Sequence, residues 1–126
     1  MANGTIAFDT LTTSGQITGT AKSVDTDYVV NGSAKSWCHC SQSTPSIDDS
    51  LNSASLTDDG TGLSTIGFTN NMSNSSYSAN CTHHDNQQNA AVGAFATSSF
   101  RLDSRNDAGT FADQSNMCGL IHGDLS

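Results

Sequence analysis

The residues with the greatest chemical reach are four cysteines and four histidines, gathered as Trp37-Cys38-His39-Cys40, Cys81-Thr82-His83-His84, and Cys118 with His122. Thiolate and imidazole are the ligands of tetrahedral zinc, so a metal is the first chemistry to test. The spacing argues against it. Structural zinc sites take paired ligands from tight knuckles such as C-x-x-C, whereas C-x-C on an extended chain points both sulfurs to one face roughly 6–7 Å apart. Alternation offers a plainer account: Ala34, Ser36, Cys38 and Cys40 share one face of a strand, and Lys35, Trp37 and His39 share the other. The first row is small enough to point inward, and a free cysteine packs as a small hydrophobe. The thiols are therefore read first as mostly buried core residues, with a disulfide and a metal as lesser alternatives. A Cys38–Cys40 bridge is disfavoured, because side chains two apart on a flat strand sit near the limit of disulfide geometry.

Acid–base chemistry would need paired carboxylates in a cleft, and the candidates are Asp48-Asp49, Asp58-Asp59 and Asp103 with Asp107. Each lies beside Ser, Asn or Gly, where Asp commonly bonds its own backbone, so all are expected in turns. Asp58 to Gly62 offers oxygens to calcium but lacks the spaced ligand series of a recognisable loop. A G-x-S-x-G elbow, a P-loop and H-E-x-x-H are absent. His83-His84 falls in the polar stretch 82–89, read as a solvated loop that could bind an ion or sense pH only if copies met at a symmetry axis. The expectation is a chain with no catalytic residue, no cofactor and no metal.

These residues must be held by short strands. Leu, Lys and Arg are scarce and Glu is missing, while Ser, Thr, Asn and Gly recur every few positions. Period-2 segments are Ile17 to Ser23, Ala34 to Ser41, Leu63 to Thr69, Tyr77 to Thr82, Val92 to Arg101 and Met117 to His122. Turn chemistry at Asn31-Gly32, Asp59-Gly60 and Ala108-Gly109 separates several of them. The pattern predicts an all-β protein, an antiparallel β-sandwich of jelly-roll or immunoglobulin-like type with an extended N-terminal arm. Residues 1–25 form the arm or an edge strand, with isolated apolar positions at Ile6, Phe8, Leu11 and Ile17, and 26–126 form the sandwich. Such an arm can pair with a sheet edge of a neighbouring subunit or serve as a first strand of its own domain. Trp37, the single tryptophan, lies opposite the cysteine row; there it packs under another layer of the same chain or forms a subunit contact.

Composition bounds the partners. The 126 residues carry 12 acidic against 4 basic groups, a net charge of -8, and only 13% of residues are charged. Lys22, Lys35, Arg101 and Arg105 alone could neutralise phosphates, which argues against nucleic acid and against an anionic membrane. No basic region followed by an apolar run marks a leader, so synthesis and folding are expected in a cytoplasm, where reducing pools keep thiols reduced.

The segments Gly32 to Trp37, Asp49 to Gly62, Phe68 to Met72 and Asn74 to Tyr77, followed by Thr97 to Arg101 and Gly109 to Gly123, together resemble a small β domain of tailed-bacteriophage virion proteins. That domain is found in marine phages as the distal part of tail fibres. Its pattern is an A-K-x-W strand, then D-S-x-N-x-S-S-x-T-D-x-G-T-G, a strand ending in a T-x-x-M turn, and an N-Y strand. The chain departs from it at apolar strand positions that are Cys38, Cys40 and Cys81 here, consistent with thiols standing in for core residues. The resemblance implies a virion structural protein and no enzyme. With no shaft or anchor expected beyond this domain, it implies a capsid decoration, cement or head-fibre protein on the outer head. Its partners would be the major capsid protein and itself, as a homotrimer on local three-fold positions. Trp37, Lys35 and His39 on the outer sheet face, with Ile6, Phe8 and Leu11 of the arm, would form its interfaces. The alternative is a tail-fibre or receptor-binding tip contacting host glycan.

Overall fold

The computed structural model describes residues 15–18, 23–84 and 89–126. In chain order these form β1 (Gln16–Thr18), β2 (Ser23–Asp25), α1 (Thr26–Gly32), β3 (Ser36–Ser41), β4 (Ser46–Leu51) and β5 (Ser53–Gly60). They continue as β6 (Leu63–Phe68), β7 (Ser78–His83), β8 (Asn89–Ala96), β9 (Ser99–Arg105) and β10 (Met117–His122). β3, β6, β9 and β10 each bury every second residue: Ser36, Cys38 and Cys40; Ser64, Ile66 and Phe68; Phe100, Leu102 and Ser104; Met117, Gly119 and Ile121. A period of two is what a pleated strand with one dry face requires. These four occupy the centres of two antiparallel sheets, ordered β4-β3-β10-β7 and β5-β6-β9-β8.

The two sheets face each other as an all-β sandwich. Ile66, Phe100, Leu102, Met117 and Ile121 are fully enclosed between them. In the second sheet the hairpins β5–β6 and β8–β9 lie side by side with their later members, β6 and β9, paired in the middle. Gly119 lets the layers close. A Cβ there would stand 3.1 Å from Cε2 of Phe100 and 3.3 Å from Sγ of Cys38, tighter than packing normally allows.

Polar side chains seal the ends. Asn52, at a φ of 54°, turns the chain from β4 into β5; its side chain accepts from Asn70 N at 2.6 Å and donates to Asn70 O at 3.0 Å. Asparagine tolerates this left-handed backbone better than most side-chain-bearing residues. Gln42 is buried and bonded through both of its polar atoms: its amide nitrogen donates to Leu102 O at 3.2 Å, and its Oε1 accepts from Ser104 Oγ at 2.6 Å and Gln114 N at 3.3 Å. Buried polar groups persist when paired in this way.

Several boundaries differ from the sequence expectation. Val92 to Arg101 is two strands joined by a turn at Thr97-Ser98, and the β8–β9 register shifts between Gly93, opposite Arg101, and Ala96, opposite Ser99. Asn31-Gly32 ends a helix instead of making a turn. Asp48 and Asp49 lie inside β4, and Asp103 lies inside β9, gripped by Arg101 through Nε at 2.6 Å and Nη2 at 3.0 Å. Asp58 and Asp59 also lie inside a strand, β5, where Asp58 accepts from Gly60 N at 2.9 Å at the irregularity that ends the β5–β6 register. The stretch 82–89 is not all loop, since β7 runs to His83.

Ahead of the sandwich, β1 and β2 pair as a small antiparallel ribbon and α1 follows, with Thr26 N donating to Gly15 O at 2.8 Å and Asp25 capping the helix. None of the residues of α1 is buried; Tyr28 is 77% exposed and Val30 58%. The first strand of the two four-stranded sheets is β3, at Ser36. Ile6, Phe8 and Leu11 lie outside the described residues.

Candidate functional site

Alternation that sends Cys38 and Cys40 into the core sends Trp37 and His39 to the outer face of the β4-β3-β10-β7 sheet. Strand register then builds two rows across that face. One runs Leu51, Trp37, Leu120 and Asn80; the next runs Asp49, His39, Cys118 and Thr82. Leu51 is 49% exposed and Leu120 38%, with the half-buried Trp37 between them, so the first row is an apolar stripe open to solvent. A β-bulge after His39 brings Asp48 beside Asp49. Asp48 Oδ2 lies 3.1 Å from His39 Nδ1, and Asp49 Oδ1 accepts from Ser50 N at 2.8 Å. One end of the face is therefore acidic.

Lys35 stands apart from this group. Its ammonium donates to Val30 O and, at 3.0 Å, to Ser33 Oγ, which ties the sandwich to the end of α1. The expected set Trp37, Lys35 and His39 is thus divided: two members share the outer face, and the third holds the helix. Sequence reasoning missed Leu51, Leu120 and Cys118 as their companions. Leu120 and Cys118 alternate with Met117, Gly119 and Ile121 and were legible from period 2, whereas Leu51 became a neighbour only through the register of β4.

Two shallow depressions lie on the same face. The first, about 320 Å³, is lined by His39, Thr82, His83, His84, Asn116 and Cys118. The second, about 240 Å³, is lined by Asn80, Cys81, Thr82, Cys118, Gly119 and Leu120. Cys118, His39 and Asp48 are the residue types of a nucleophile, base and orienting acid. Burial, and then Cys38, push the Cys118 thiol up from its ordinary value. Among the described residues, no three His, Cys, Asp or Glu side chains converge as a metal site.

The thiols divide by position. Cys38 and Cys40 are buried and Cys81 is half-buried against the core, in keeping with thiols that stand in for core residues, whereas Cys118 is exposed. All four are free. The contact with Cys38 and then burial push the Cys40 thiol up; burial, followed by Asp103, pushes Cys81 up to about 11. The described cations are all engaged: Arg101 on Asp103, Lys35 on Val30, and Arg105 stacked 3.7 Å over the ring of Phe111. Among the described residues no helix is long and apolar enough to cross a membrane.

No protein-family model, no curated protein and no solved structure matches the chain.

Proposed function

We propose that this chain is a non-catalytic structural protein of a tailed-phage virion, a decoration of the outer head that binds the major capsid protein and further copies of itself. The observation that carries a binding role is the open stripe Leu51–Trp37–Leu120, three large apolar side chains in register on a solvent-facing sheet face. Aromatic anchors at the centre of such a patch supply most of the energy of protein interfaces. The virion assignment rests on the sequence resemblance.

The test is occupancy on particles. Labelled protein is expected on heads in many copies, and Trp37→Ala should weaken that binding by about 2 kcal/mol, the scale of an aromatic hot spot. Labelled protein confined to the tail tip would replace this reading with the glycan-binding adhesin. Unchanged head occupancy for Trp37→Ala would remove the stripe as the binding face.

A further inference from the structure

Asn31-Gly32 is the one Asn-Gly pair among the described residues, and it closes α1. Where glycine follows asparagine, the missing Cβ leaves the glycine nitrogen uncrowded and its backbone free to bring that nitrogen against the asparagine side chain. Every other described asparagine precedes a residue with a side chain. Asn52, Asn74 and Asn106 are also engaged, through Asn70, Ser76 N and Thr110 N. At the end of α1, Ser33 Oγ and Lys35 Nζ both donate to Val30 O, and the Asn31 amide bonds to none of the described residues.

The surroundings are open. Asn31 and Gly32 are exposed and, with Asp27 and Tyr28, line a shallow depression of about 350 Å³. α1 is seven residues long and buries none of them, so little holds its last turn against the backbone rotation at Asn31 that attack requires.

We infer that Asn31 is a site of spontaneous deamidation, a modification that consumes only water and loosens α1 from the sandwich. The Gly32 backbone nitrogen bonds to Asn31 Cγ and gives up its proton, the bond from Cγ to the side-chain nitrogen breaks, and ammonia leaves with that proton. Water then opens the cyclic imide at either carbonyl, giving aspartate or the β-linked isoaspartate, with no change of oxidation state. Both products place a carboxylate where α1 tolerates it least: at the helix C-terminus, the negative end of the backbone dipole, and four residues beyond Asp27, a like charge on the same face. Lys35, the described cation at this end, would turn from Val30 O toward the new carboxylate and give up the bond that ties the helix to the sandwich. Isoaspartate also lengthens the main chain and cannot continue the helix. The sheets begin at Ser36 and stay intact. The inference does not depend on the particle reading, and its readouts involve no particle.

The experiment ages the full chain in mildly alkaline buffer beside Gly32→Ala, a variant that fits because a Cβ at Gly32 meets nothing within 4 Å and alanine favours the helix. The native chain is expected to accumulate a form with one more negative charge on isoelectric focusing. Peptide mapping should place the change at Asn31, and a protein isoaspartyl methyltransferase should label that peptide in the native chain but not in Gly32→Ala. In the modified form, amides of residues 26–32 should exchange hydrogen faster while those of β3, β6, β9 and β10 keep their protection. A sample aged in urea gives the rate of the unstructured sequence. The inference is overturned by an Asn31 that stays an amide in the folded chain while the urea sample converts, by an acidic form that maps only to Asn3-Gly4, or by modified protein whose α1 exchanges no faster than before.

Discussion

At the scale of single residues, the Cys81 thiol makes stability depend on alkaline pH. Cys81 rises from its ordinary 9.0 to about 11 in the folded chain, chiefly through burial, and Cys40 shifts the same way. A folded thiol that holds its proton more tightly than the unfolded one leaves its stabilisation fully present below about pH 9, and that stability is lost as pH rises from 9 toward 11. For Cys81 alone, discounted for the part of its side chain that solvent reaches, the loss is on the order of 2 kcal/mol. Cys81→Ala should flatten that part of the curve, as read from urea midpoints across the alkaline range. Gly62 is a second point of sensitivity. Its φ is +71°, and a Cβ would sit 2.5 Å from Ser104 O and 2.7 Å from Ala112 N, both backbone atoms that cannot step aside. Gly62→Ala is therefore expected to cost about 2 kcal/mol or more, seen as a lowered thermal midpoint.

At the scale of elements, the edges decide behaviour. Asp48 and Asp49 protect β4, which pairs only with β3 among the described residues, so replacing both by Ser should open that edge to other chains. Light scattering should then rise with concentration under conditions where the native protein stays clear. The strands most legible in the sequence were β3, β6 and β10, whose buried and outward residues alternate cleanly; β10 was predicted at its observed bounds, Met117–His122. β4 and β5 were invisible. Their residues, Ser46 to Leu51 and Ser53 to Gly60, are Ser, Thr and Asp at most positions, and they are strands because β3 and β6 offer them a ladder, not because they bury a face. Tertiary pairing overrode local propensity there. The same blindness hid half of the candidate site: Trp37 and His39 were assigned to their face from alternation, but Asp48 and Leu51 join them only through a register and a bulge that no local pattern encodes.

At the scale of the whole molecule, the sandwich closes without the ribbon and helix ahead of it. Its enclosed residues all lie between Ser36 and Ile121, and α1 buries none of its own. A fragment spanning 33–126 should accordingly fold with a sheet-type circular dichroism spectrum and unfold within about 1 kcal/mol of the full chain, since a short helix with no buried face adds little. Aggregation of that fragment at every concentration, or loss of cooperative unfolding, would assign the preceding residues a part in the core.

The place of β10 between β3 and β7 also sets when the protein can fold. As the ribosome extends the chain, β3 emerges early, yet its neighbour on the β10 side is translated only after β4 through β9. Until His122 has cleared the exit tunnel, Cys38 and Cys40 lack the strand bearing Met117, Gly119 and Ile121 that lies beside theirs in the core. The nascent chain thus carries a gap in the middle of one sheet, and before that point only the β3–β4 pair of that sheet and the β5-β6-β9-β8 sheet have all their strands. Closure comes late and depends on a contact between distant parts of the chain, which slows folding relative to a protein of this length built from local contacts.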